Sequence, residues 1–209
     1  MDVRDLRTSF AAFAPVDGAE WELPCREFLD ACELIKKLMG SLGRCMSFAL
    51  SDIAAKLEQI DEYITSAGEA CPSSLLKIVE KEVSLNVHDA GKKNPSITRT
   101  LLRLMWFLDF VAAFLSKLGE NTSASVTFVA REAYNEKLAP NHPWIVRKAA
   151  SASMALCPSR DSLMKSISLN GTTPSEEQCE ILISTGNEMK KTLDKLWAYY
   201  TSNEITKLK

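Results

Sequence analysis

The chain has 209 residues, 46% of them hydrophobic, and a formal net charge of −2. That is apolar content for one sizeable domain, and the balanced charge gives no bulk attraction to nucleic acid or anionic membranes. Any cationic site must be local. The six cysteines (Cys25, Cys32, Cys45, Cys71, Cys157, Cys179) are scattered, with no C-x-x-C pair and no histidine at metal-ligand spacing. Residues 1–5 lack the apolar core of a signal peptide. Together these features predict a reduced, cytosolic protein without a metal or cofactor. Asn121-Thr122-Ser123 and Asn170-Gly171-Thr172 match a glycosylation pattern that has no meaning in the cytosol. The longest apolar run, 104–118, is broken by Asp109 and Ser116 and is too short for a bilayer, so a soluble protein is expected.

Helical periodicity runs throughout, with no sustained period-2 alternation. The N-terminal segment 1–24 holds one short helix over 3–13, closed by Pro15 and Gly18. A second helix over 26–39 carries Phe28, Leu29, Cys32, Ile35, Leu38 and Met39 at three- and four-residue spacings, and Gly40 and Gly43 end it. A third, over 44–67, puts Phe48, Ile53, Leu57, Ile60 and Ile64 on one stripe. A fourth opens at Pro72-Ser73-Ser74, with Leu75, Leu76, Ile78, Val79, Val83 and Leu85 inward. The loop 89–96 leads to the central helix, 98–118, which Gly119 ends. Helices over 123–138 and 144–157 follow, the latter with Pro143 at a first helical position. A short helix runs to Ile167, Asn170-Gly171 turns, and Pro174 starts the last long helix. The expected fold is all-α: a two-layer sandwich of about eight helices in one domain spanning 1–209.

The central helix is apolar on nearly every face, yet Arg99 and Arg103 lie one turn apart on a single face. Two guanidinium groups so placed do not neutralise each other and need an anion from the protein or from a ligand. Asp52 and Lys56 form a second i, i+4 pair, which by itself reads as an ordinary surface ion pair. His142, in Pro140-Asn141-His142-Pro143-Trp144, reads as a turn or cap histidine, and His88 as solvated. Trp144 suits either a core or a membrane interface. There is no nucleophile elbow, glycine-rich phosphate loop or H-E-x-x-H motif, so binding without chemistry is the expectation.

Three segments carry a resemblance: Asp52-x-x-x-Lys56, Arg99-Thr100-Leu101-Leu102-Arg103-Leu104 and His142-Pro143-Trp144-Ile145-Val146-Arg147-Lys148-Ala149. In type and order they resemble signatures of the glycolipid transfer protein superfamily. The likeness runs from about Arg26 to Tyr200. It implies a two-layer helical sandwich that encloses a sphingolipid's hydrocarbon chains in an apolar cavity and binds the headgroup at its surface. Glycolipid-carrying members have tryptophan where this chain has Arg103 and asparagine where it has Lys56. Both departures are similar to the ceramide-1-phosphate transfer branch, which includes a plant accelerated-cell-death member.

The substitutions make physical sense, because a flat aromatic face suits a sugar and a guanidinium fork suits phosphate oxygens. The resemblance assigns Lys56, Arg99 and Arg103 to phosphate. It assigns Asp52 to the ceramide amide N–H and a nearby hydroxyl, and His142 to the amide carbonyl. The net charge of this set, about +2, nearly cancels the roughly −1.5 to −2 of a phosphate monoester. Exposing a ceramide's methylenes to water, at about 0.8 kcal/mol each, would cost on the order of 20 kcal/mol, so a carrier must enclose them. The expected cavity lining is Phe48, Ile53, Leu57, Leu102, Trp106, Phe110, Phe114, Ile145, Ala149 and Met154. Trp144, Ile145, Lys92 and Lys93 are expected to touch the membrane.

The function this implies is intermembrane transfer of ceramide-1-phosphate by a cytosolic monomer that docks transiently on membranes. Its alternatives are transfer of a neutral glycosphingolipid and a lipid-sensing helical module that regulates cell death.

Overall fold

The computed structural model describes residues 3–14, 21–90, 94–167 and 176–208. These contain nine α-helices: α1 (Val3–Ala11), α2 (Cys25–Gly40), α3 (Ser47–Ala67), α4 (Leu75–Ser84), α5 (Ile97–Glu120), α6 (Val126–Lys137), α7 (Trp144–Met154), α8 (Arg160–Ile167) and α9 (Glu176–Ser202). Single 3₁₀ turns occupy Gly43–Met46, Gly68–Ala70 and Ala139–Asn141. No β-strand occurs among the described residues; one isolated bridge joins Pro24 to Ser74. The expected turn at Asn170-Gly171, the stops at Pro15 and Gly18 and the start at Pro174 lie outside the described residues.

Packing follows the apolar stripes. Contacts run in a closed circuit from α1 to α2, α3, α5 and α9 and back to α1, while α4 and α6 flank α5. The result is the helical sandwich the sequence predicts, and its buried apolar side chains form one continuous cluster. The central helix buries Leu101, Leu104, Met105, Leu108 and Val111 completely or almost so, which explains why nearly every face is apolar. Among the described residues no helix is long and apolar enough to cross a membrane.

The N-terminus of α5 is held with unusual completeness. The Ser96 hydroxyl accepts from Arg99 N–H at 3.1 Å. One Glu82 carboxylate oxygen accepts from Ile97 N–H at 2.9 Å, and the other from Thr98 N–H at 2.7 Å and from the Thr98 hydroxyl. Tyr200, from α9, donates to the Thr98 carbonyl at 2.9 Å. The first backbone donors of the helix, orphaned by geometry, thus all find partners in the interior. Gln59 of α3 accepts from the Thr100 hydroxyl at 2.8 Å and donates to the Pro95 carbonyl, which ties α3 to the same point.

Several boundaries differ from the sequence reading for physical reasons. Gly119 does not stop the central helix but lies within it. An added Cβ there would stand 2.6 Å from the Cys179 carbonyl oxygen and from Ile183, so this glycine permits close approach of α9. Gly186 plays the reciprocal part, with the Ala112 carbonyl 2.7 Å from the would-be Cβ and the Ser116 hydroxyl in the way. The third helix begins after a 3₁₀ turn, and Phe48 at its start is 80% exposed and off the buried stripe. Leu85 follows α4 and points outward, and Val83 is only half-buried. Ser125 caps α6, which therefore starts at Val126, and α7 ends at Met154.

Gly186→Ala is expected to lower unfolding stability by about 1–3 kcal/mol through overpacking. Gly40→Ala, at a helical position with nothing within 4 Å of the added Cβ, should be neutral or slightly stabilising. Paired denaturant titrations check the difference.

Candidate functional site

The headgroup candidates are delivered by three elements that meet at one end of α5. From α3 come Asp52 and Lys56, one turn apart and joined as an ion pair. The Lys56 side chain is only 16% exposed and that of Asp52 59% exposed, so the ammonium is sheltered while the carboxylate faces water. From α5 come Arg99 and Arg103. The Arg99 side chain is 4% exposed. Its Nη1 donates to the Ala90 carbonyl at 3.1 Å, and its Nη2 lies 3.3 Å from Asp89 Oδ1. Among the described residues neither Nη2 nor Nε finds a hydrogen-bonding alignment. A buried cation with N–H groups unmet is an expensive arrangement unless something else is bound there. Arg103, one turn on, is exposed; its guanidinium lies 5.7 Å from the centre of the Trp106 ring, and no carboxylate pairs with it among the described residues.

His142 lies between the turn Ala139–Asn141 and α7. Its Nδ1 is 2.9 Å from the Tyr134 hydroxyl, and the two rings pack with centroids 5.7 Å apart. Burial pushes the Tyr134 hydroxyl pKa up, so it keeps its proton. With Tyr134 as donor to Nδ1, the imidazole proton sits on Nε2 and is available to an outside acceptor. Burial also holds His142 below its ordinary 6.5; the Asp52 charge works against this and the Arg103 charge with it. The same influences place His142 within electrostatic reach of both, so the folded chain gathers α3, α5 and the α7 entry around one spot.

The other predicted residues divide. Ile53, Leu57, Leu102, Phe110, Phe114 and Met154 are buried, and Trp106 is half-buried. Phe110 and Phe114 stack at 6.1 Å. Phe48, Ile145 and Ala149 are corrected: all three are exposed, so they do not line the interior. Phe48 lies one turn before Asp52, and α7 turns all but Met154 away from full burial. His88 is also half-buried rather than solvated. Trp144 is 61% exposed beside Ile145, with the Lys148 ammonium 4.9 Å from its ring centre. Lys92 and Lys93 lie outside the described residues.

Known proteins share this architecture and part of the sequence. Residues 23–169 match the family model described as glycolipid transfer protein. The chain belongs to the glycolipid transfer protein family. It is 30% identical over 186 residues to the ceramide-1-phosphate transfer protein of Xenopus tropicalis, covering 87% of this chain and 85% of that one. Over 169 residues it is 31% identical to accelerated cell death 11 of Arabidopsis thaliana, covering 77% of each. The crystal structure of the apo mouse ceramide-1-phosphate transfer protein superposes with a TM-score of 0.87 at 25% identity, over all of both chains. A point variant of Arabidopsis accelerated cell death 11, complexed with C12 ceramide-1-phosphate, superposes with a TM-score of 0.83 at 25% identity, covering 97% of this chain and 96% of that one. The all-helical fold expected from the sequence is therefore the fold of this family.

Sequence reasoning missed the residues that set the site's state. Asp89 and the Ala90 carbonyl hold Arg99, Tyr134 orients His142, and Glu82 with Gln59 fixes the helix start. The eight-residue spacing of Tyr134 and His142 across a helix end has no sequence signature, and Glu82 reads as one acidic residue in a charged helix.

Because folding depresses the His142 pKa, protonation opposes folding, and stability is lost as pH falls from about 7 through 6.5 towards the folded value. His142→Gln removes that part of the slope and leaves stability above pH 7 nearly unchanged. Chemical denaturation of both proteins between pH 5 and 8 checks this; parallel pH profiles would contradict it.

Proposed function

We propose that this chain carries ceramide-1-phosphate between membranes, as one lipid-transfer domain acting without catalysis. The observation that carries the reading is Arg99: a buried guanidinium whose Nε and Nη2 lack hydrogen bonds among the described residues, one turn from an exposed Arg103. A phosphate at this end of α5 would supply the missing acceptors and the balancing charge. Lys56, sheltered beside Asp52, adds a third cation. Relatives named for ceramide-1-phosphate transfer support the substrate, as does the similar fold crystallised with that lipid.

Asp52 accepts from the ceramide amide N–H and His142 Nε2–H donates to the amide carbonyl, a pattern that a diacylglycerol ester lacking the N–H donor cannot complete. An acceptor that the bound lipid covers but leaves without a donor costs about 1–3 kcal/mol, enough to select sphingolipids. Arg103 in place of the sugar-stacking tryptophan, and Lys56 in place of the asparagine, oppose a neutral glycolipid. The hydrocarbon chains enter between the apolar faces of Ile53, Leu57, Leu102, Phe110, Phe114 and Met154, beside Trp106.

Membrane contact falls to the exposed apolar side chains around the headgroup end. The exposed apolar side chains include Trp144, Ile145 and Phe48, and Leu85 and Val87 just before Asp89 in the chain. Lys92 and Lys93 follow Asp89 in the chain and suit lipid phosphates. The protein works in this reading as a cytosolic monomer, transiently docked.

Vesicle-to-vesicle transfer of ceramide-1-phosphate, a glucosylceramide and phosphatidic acid tests the proposal. Wild type should move the first and neither of the others, and Arg103→Leu should lose about 10- to 100-fold of that rate, the worth of a charged hydrogen bond. Equal glycolipid transfer, or an unimpaired variant, would overturn the phosphate assignment. Trp144→Ala should weaken vesicle binding and slow transfer with no change in thermal stability, since the side chain is exposed; unchanged binding removes Trp144 from the docking surface.

A further inference from the structure

The headgroup reading leaves the cysteines unused, and two of them meet. Cys45, buried in the 3₁₀ turn Gly43–Met46, and Cys157, half-buried just past α7, are 112 residues apart in sequence and 2.8 Å apart Sγ to Sγ. Two thiols at that distance are separated from a disulfide, at about 2.05 Å, by only a sub-ångström shift. We propose that Cys45 and Cys157 are a redox-modification site, at which hydrogen peroxide oxidises the pair to a disulfide that pins the C-terminal end of α7 to the turn before α3.

The surroundings favour this pair. Contact with Cys45 and the positive charge of Arg131 push the Cys157 thiol down, and its partial exposure admits a small oxidant. Cys45 holds its proton more tightly and sits behind Cys157, the place of a resolving thiol. By contrast, burial and its neighbour Cys71 push the Cys25 thiol up to about 12, so Cys25 supplies little thiolate. In the first step the Cys157 thiolate attacks one peroxide oxygen, the O–O bond breaks and hydroxide leaves, giving a sulfenic acid. The Cys45 sulfur then attacks the sulfenic sulfur, losing its proton as the S–O bond breaks and water departs. Overall the two thiols lose two electrons and two protons, and one peroxide becomes two waters.

The consequence lies in how little holds α7. Met154 is its only buried residue. The other ties cluster at the same end: the Thr127 hydroxyl donates to the Met154 carbonyl at 3.1 Å and Arg131 donates to the Ser151 carbonyl at 3.4 Å. The thiol pair therefore sits at the anchored end of a helix whose other end is exposed. A covalent link there restrains local opening of α7 without touching a headgroup residue.

Peroxide treatment of the reduced full chain, followed by non-reducing digestion and mass spectrometry, tests the chemistry. The expected product joins the Cys45 and Cys157 peptides within one chain, lighter than their sum by two hydrogens. Amide hydrogen exchange over 144–154 should slow several-fold in the oxidised protein and return with dithiothreitol. Cys157→Ser and Cys45→Ser should show neither effect. Separate over-oxidised or unreacted cysteines in folded wild type would overturn the proposal, as would a linked pair with unaltered exchange in α7.

Discussion

A charged group sunk at the start of the most apolar helix sets the terms for this structure. The Arg99 guanidinium is nearly excluded from water and, among the described residues, has only a backbone carbonyl and a half-exposed carboxylate for partners. Such a group stays put only if the helix carrying it cannot fray or rotate. The N-terminus of α5 meets that demand, because Ser96, Glu82 and Tyr200 take up its first polar groups and Gln59 fastens it to α3. Lys56 lies about one turn before Gln59 on α3, the helix so fastened.

The elements around the site are held differently. Towards its C-terminal end, away from the arginines, α5 approaches α9 so closely that Gly119 and Gly186 leave no room for a methyl group. By contrast, α7 has one buried residue and an exposed leading edge of Trp144 and Ile145. A helix firmly packed along its length carries the charge, and a lightly held helix carries the apolar side chains suited to lipid. This division fits a carrier, whose headgroup contacts must be preorganised while the path for hydrocarbon chains must open.

The sequence was legible where a periodicity or a motif carried the information. Helical spacing located every described helix, and ordered short signatures located the family before any geometry was known. It misled where burial depends on which neighbour covers a face. Phe48 continues the stripe of Ile53 and Leu57 on paper, but the preceding 3₁₀ turn starts α3 at the rim and leaves that ring in solvent. Ile145 and Ala149 have helical spacing, yet nothing packs over α7 at those positions. Gly119 looked like a helix stop because glycine usually is one; its reason is a pair of neighbours, Cys179 and Ile183, on α9.

Taken by itself, the sequence determined the helical class, the family and the identity of the charged residues, since all three rest on local spacing and residue type. The tertiary structure decided which of those charges is sheltered and which is free, through Asp89, the Ala90 carbonyl and Tyr134. It also brought Cys45 and Cys157 into contact. Partnerships of this kind join residues by folding alone. Their energetics depend on burial and distance, which no one-dimensional pattern encodes.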